Sequence, residues 1–90
     1  MPTRTVAVAS RVGLHARPAA LFTQAVTAAG IPVTIATTGR PPVNAASILM
    51  VMTLAVPHGQ EVTLTAEGDR ADEVLDELAG LLATDLDATA

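Results

Sequence analysis

Two spacings alternate along this chain. From Thr3 to Ala9 apolar and polar residues alternate, with Val6 and Val8 on one face, which predicts a strand. Ser10 to Leu14 is a short connector containing Gly13. From Ala16 to Ala29 the spacing becomes helical, with Phe22, Val26 and Ala29 on one face. Pro18 falls in the first turn, where a missing N–H costs little, and Gly30 can end the helix. Strand alternation returns from Pro32 to Thr37 through Val33 and Ile35. Thr38-Gly39 reads as a tight turn into a short strand over Arg40 to Asn44, and Pro41 and Pro42 suit a sheet edge. Ser47 to about Leu54 predicts one or two helical turns with Ser47 as the N-cap. Pro57-His58-Gly59 is a loop, and Gln60 to Ala66 is a strand through Val62 and Leu64. The last helix is expected to be capped by Asp69, with Asp72 in capping-box position. Its buried stripe would be Ala71, Val74, Leu75, Leu78, Leu81 and Leu82, with fraying expected after Thr84.

The resulting order is β-α-β-β-α-β-α in one domain, residues 1–90, with an expected radius of gyration of roughly 12 Å. Such an order predicts an α+β fold, an antiparallel sheet of four strands with helices packed on one face. The other sheet face, formed by Thr5, Ala7, Thr34, Ala36, Thr63 and Thr65, is small and polar enough to meet water.

Composition narrows the chemistry. Half the residues are apolar, eighteen residues are alanine, and Phe22 is the only aromatic. Cysteine and lysine are both absent. Disulfides, thiolate catalysis, cysteine zinc sites, Schiff bases and a P-loop lysine are thereby excluded. No apolar run approaches the ~20 residues of a membrane span, and the first residues lack a signal-peptide core. A soluble cytoplasmic protein is expected, with no direct membrane insertion. Charge is split along the chain: residues 1–60 carry four arginines and no acid, whereas 61–90 carry all nine acids and Arg70, for a net −4. With no basic stripe and no stacking platform, nucleic acid is not an expected partner. An anion site in the basic half remains open.

The informative segment is Val12-Gly13-Leu14-His15-Ala16-Arg17-Pro18-Ala19-Ala20. A histidine stands just ahead of a helix, where free N–H groups and a partial positive charge face it. That field disfavours imidazolium and keeps the ring neutral near pH 7, with a lone pair free to act as a nucleophile. A phosphoryl group on His15 would meet the backbone N–H groups of Ala16 and Arg17. The Arg17 side chain can add charge-assisted hydrogen bonds. The alternative is that His15 and Arg17 merely decorate a helix start, and the dipole argument counts against it.

The stretch GLHARPA followed by an apolar helix resembles the active-site signature of HPr, the histidine phosphocarrier family of the bacterial sugar phosphotransferase system. Val43 to Leu54 (VNAASILMVMTL) resembles that family's regulatory-serine helix, and its VNAAS wording is similar to actinobacterial members. The resemblance covers the whole chain. It implies an open-faced β-sandwich in which His15 takes a phosphoryl group on Nδ1 from Enzyme I, itself phosphorylated by phosphoenolpyruvate, and gives it to EIIA domains of sugar permeases. The protein would then be a stoichiometric carrier rather than an enzyme, with no cofactor and no metal. A relay of this kind needs positioning and electrostatics more than acid–base groups, which suits a histidine with no carboxylate in its own half.

The chain also departs from the family pattern. Val12 stands where a polar residue often caps the helix, leaving Ser10, a backbone carbonyl or water for that role. Ala46 replaces a frequent lysine and Met50 a frequent glycine, which weakens the case for regulatory phosphorylation of Ser47. Ser47 reads first as an N-cap. The run Ile48 to Met52 is too apolar to be all surface or all core, and Ile48 or Val51 is expected to reach the core. The rest of the run is expected to form a docking patch around His15 together with Ala20 and Phe22, and the resemblance picks out Ala20, Ile48, Leu49 and Met52. Methionine suits surfaces that meet several partners. His58 reads as a solvated loop residue without enough neighbours for a metal site, and a large ligand pocket is not expected from an alanine-rich core. Other readings are a regulatory binding module with His15 idle, and a related relay for nitrogen regulation or dihydroxyacetone. A carrier that shows its site to partners in turn is expected to be a monomer.

Overall fold

A computed structural model describes residues 2–11, 13–14 and 16–84. Seven elements follow in order: β1 (Thr3–Ala7), α1 (Ala16–Ala29), β2 (Val33–Thr37), β3 (Val43–Asn44), α2 (Ile48–Thr53), β4 (Glu61–Ala66) and α3 (Ala71–Leu82). The strands form one sheet in the order β1-β4-β2-β3, with every neighbouring pair antiparallel. The Cα radius of gyration is 11.5 Å. This is the open-faced arrangement expected from the element order.

Register explains which face is covered. Arg4, Leu64, Ile35 and Val43 lie in one row across the sheet, and Val6, Val62 and Thr37 in the next. These rows face the helices, and Ile35, Val62 and Leu64 are fully buried there with Phe22, Val26, Val51 and the α3 residues Val74, Leu75 and Leu78. The alternate rows carry Thr3, Thr65, Thr34 and Asn44, then Thr5, Thr63 and Ala36; all are exposed or half-buried. Thr5 and Thr63 are paired across the strands at 3.3 Å. The period of two thus sorts core from water as the sequence predicts.

Arg4 is the charged member of a covered row, and its place on the outer strand lets it reach α3. Its Nε donates to Asp76 at 2.8 Å and its Nη2 to Asp72 at 3.2 Å. These hydrogen bonds, Asp76 first, raise the guanidinium pKa above its usual value.

Several sequence expectations need correction. The second edge strand is only Val43–Asn44; Arg40, Pro41 and Pro42 lie outside it, since two successive prolines cannot donate to a ladder. The last helix is not capped by Asp69. Arg70 is the N-cap, with ψ at 19° and no side-chain cap bond. The Ala71 N–H is instead taken by the Gly68 carbonyl at 3.2 Å, so a turn occupies the position a capping box requires. Leu81 is half-buried rather than buried. The tail after Thr84 and residue Val12 lie outside the described residues. Among the described residues, no helix is long and apolar enough to cross a membrane.

Candidate functional site

The segment that leads into α1 is fastened to the one that follows α2. Gly13 has φ +71°, and a Cβ at that position would run into the Val56 carbonyl and lie 2.9 Å from Pro57 Cα. Only glycine permits this approach. Its N–H donates to Ser10 O at 3.0 Å, and the Leu14 N–H donates to Val56 O at 2.9 Å. Further back, the Gly59 N–H donates to Val8 O at 2.8 Å and the Val8 N–H to Gln60 O at 3.0 Å. Leu14 is fully buried, an apolar anchor one residue before His15.

His58 belongs to this fastening. Its residue is exposed, as expected, but its ring is not simply solvated: Nδ1 lies 3.1 Å from Ser10 O. A carbonyl only accepts, so His58 Nδ1 must carry a proton. The Ser10 hydroxyl, one of the capping candidates, is buried and has no hydrogen-bond partner among the described residues.

Where these supports end, α1 begins. His15 lies outside the described residues. Ala16 and Arg17 are the first two residues of α1, whose leading N–H groups have no carbonyl ahead of them in the helix. Pro18, the third, removes one donor and is buried against the core. Arg17 is exposed and makes no hydrogen bond or ion pair among the described residues. Ala20 is half-buried one turn on, next to the half-buried Leu21. Phe22, expected near the docking face, is fully buried; its aromatic bulk fills the centre of the core instead.

Beside α1 packs α2. Ser47 is its N-cap, and the Met50 N–H donates to Ser47 Oγ at 3.4 Å. At the other end Arg40 Nη1 donates to the Thr53 carbonyl at 3.2 Å, a cation where the helix dipole favours one. Val51 is the one buried residue of α2. Ile48, an expected core candidate, is 41% exposed, Leu49 72%, Met50 42% and Met52 36%. A helix this short, packed through a single residue, must leave its other apolar side chains outside. Met50 joins the predicted docking residues on that surface, which the sequence alone did not single out. The next residue in the left-handed region is Ala55, at φ +52°.

A groove of about 280 Å³ lies elsewhere, between Ala25, Ala28 and Ala29 of α1 and Val74 and Leu81 of α3 with its N-cap Arg70. That is below the roughly 300–1,000 Å³ of small-molecule sites. The distinctive surface is therefore a helix start with an exposed arginine, beside an exposed apolar helix.

A model of the family described as "PTS HPr component phosphorylation site" matches residues 2–84. The chain belongs to the HPr family. HPr proteins carry a phosphoryl group between other proteins and are not enzymes. The phosphocarrier protein HPr of Streptomyces coelicolor is 46% identical over 87 residues, 97% of this chain and 94% of that protein. This similarity agrees with the actinobacterial wording of VNAAS. The HPr-like protein Crh of Bacillus subtilis is 44% identical over 88% of this chain and 92% of its own length. The crystal structure of an HPr from Bacillus anthracis superposes with a TM-score of 0.85 at 40% identity, covering 90% of this chain and 95% of that one.

Proposed function

We propose that this chain accepts a phosphoryl group on Nδ1 of His15 from phospho-Enzyme I and passes it to EIIA domains of sugar permeases, working as a monomer in the cytoplasm. The observation that carries this reading is the family match over residues 2–84 in a chain whose GLHARPA segment opens α1.

The chemistry asks little of the carrier beyond geometry. The Nδ1 lone pair of a neutral ring attacks phosphorus as the bond from phosphorus to the donor breaks, and the bonding electrons leave with the donor. The second step reverses the roles: a nucleophile on the acceptor attacks, and the P–Nδ1 bond breaks. Between the steps a dianionic group sits on His15. The Ala16 and Arg17 N–H groups and the Arg17 guanidinium hold its oxygens by charge-assisted hydrogen bonds. Support for this role of Arg17 comes from its exposure at the start of α1 without another partner among the described residues.

Partner proteins dock on Ala20, Ile48, Leu49 and Met52, whose exposed apolar area is what a transient interface desolvates. Ser47 serves as the cap of α2. Phosphorylation there would add negative charge beside the docking face and weaken binding to an acidic partner.

Mixing the protein with Enzyme I and phosphoenolpyruvate, then reading ³¹P NMR, tests the proposal. An acid-labile phosphohistidine signal is expected, absent from His15→Ala and assigned to Nδ1. No phosphate, with an Enzyme I active on another carrier, would overturn it in favour of a binding module or a relay with its own donor.

A further inference from the structure

Oxidation chemistry singles out α2. The chain has no cysteine, tryptophan or tyrosine, and its three methionines are Met1, Met50 and Met52. A mild two-electron oxidant therefore meets thioether sulfur before any other side chain. Met50 and Met52 are 42% and 36% exposed, on the same short helix as Ile48 and Leu49.

We propose that Met50 and Met52 form a reversible oxidation site through which hydroperoxides weaken the docking face. The inference rests on the phosphocarrier reading, in which partners cover α2. In each oxidation the sulfur lone pair attacks one peroxide oxygen, an S–O bond forms and the O–O bond breaks. Sulfur loses two electrons, the peroxide gains them, and water or an alcohol leaves with the proton. Sulfoxide reductases reverse the step at the expense of a thiol reductant.

The geometry gives the modification a surface effect without a folding effect. The anchor of α2 is Val51, fully buried and not oxidisable, so the helix keeps its seat. The face changes instead: two flexible apolar side chains become strong hydrogen-bond acceptors. Covering an unpaired sulfoxide against an apolar partner surface is unfavourable.

The test treats the full chain with hydrogen peroxide and maps the oxidised peptides by mass spectrometry. Transfer from phospho-Enzyme I is then compared with the untreated protein. The M50L/M52L double variant is compared with its own untreated rate, and Met1 is present in both proteins. The oxidised chain is expected to transfer on the order of tenfold more slowly, to melt at an unchanged temperature, and to recover after treatment with the two sulfoxide reductases. The double variant is expected to show none of the slowing. Complete conversion of Met50 and Met52 without slowing overturns the inference, as does an equal slowing of the double variant. An untreated protein that takes no phosphate at all defeats the carrier reading and this inference with it, an outcome the untreated control identifies.

Discussion

At the scale of single residues, two left-handed positions make opposite demands. Gly13 (φ +71°) faces the Val56 carbonyl, whereas Ala55 (φ +52°) is exposed and pays the left-handed cost without needing its side chain. Gly13→Ala adds both a strained φ and a backbone collision, so it is expected to cost about 2–4 kcal/mol. Ala55→Gly relieves a strain of similar origin, offset by the entropy of glycine, and is expected to gain up to about 1 kcal/mol. Urea melts of the two variants check the pair; two shifts of the same sign would refute the argument. His58 matters for a different reason, a contact with a distant backbone carbonyl. Removing its hydrogen bond to Ser10 O in His58→Ala is expected to cost about 1 kcal/mol, while His58→Gln, which keeps an N–H donor, recovers part of the loss. The tautomer gives an independent check, because ¹⁵N NMR of the neutral ring is expected to place the proton on Nδ1. Gly13 was legible in the sequence as part of a short connector. The partners of Gly13 and His58 were not, since Val56 and Ser10 lie more than forty positions away from them and no local pattern joins the two.

At the scale of elements, α2 separates a buried anchor from the proposed docking face within three residues. Val51 is its buried residue and Leu49 its most exposed apolar one. Val51→Ala is expected to cost about 2 kcal/mol, the transfer of two methyl groups plus the space they leave. Leu49→Ser is expected to change stability by less than about 0.5 kcal/mol and to slow phosphoryl transfer severalfold. Thermal melts and transfer rates on the same two proteins decide this, and a reversal of the pattern would move the docking face elsewhere. The same element marks a limit of pattern reading. An all-apolar run shows that part of it must be exposed, but not which part, because five consecutive apolar residues carry no period. The cap of α3 failed for a related reason. Asp69 and Asp72 have capping-box spacing, yet the Gly68–Ala71 turn had already taken the first N–H. Strand periodicity did better: alternation in β1, β2 and β4 placed nearly every side chain on its observed face.

At the scale of the whole molecule, the split of charge along the chain becomes only in part a split in space, because Arg4 pairs with Asp72 and Asp76 of α3. The acids lie on β4, the loop after it and α3, or in the tail beyond the described residues. Arg17 stands instead at the start of α1, and Arg40 at the end of α2, the helix of the proposed docking face. Net charge and local charge then predict opposite salt effects on meeting an acidic partner. A body of net −4 would be repelled, so salt would speed association; a basic face would be attracted, so salt would slow it. Near contact the local face governs, because at about 0.15 M salt the field reaches only ~8 Å, less than the smallest extent of the molecule, 20 Å. Transfer from a negatively charged phospho-partner is therefore expected to slow as salt rises from about 0.05 to 0.5 M, and Arg17→Gln to flatten that slope as well as lower the rate. Stopped-flow measurement across that range checks both. A rate that rises with salt would show that the acidic half governs the encounter and that the arginines act only after docking.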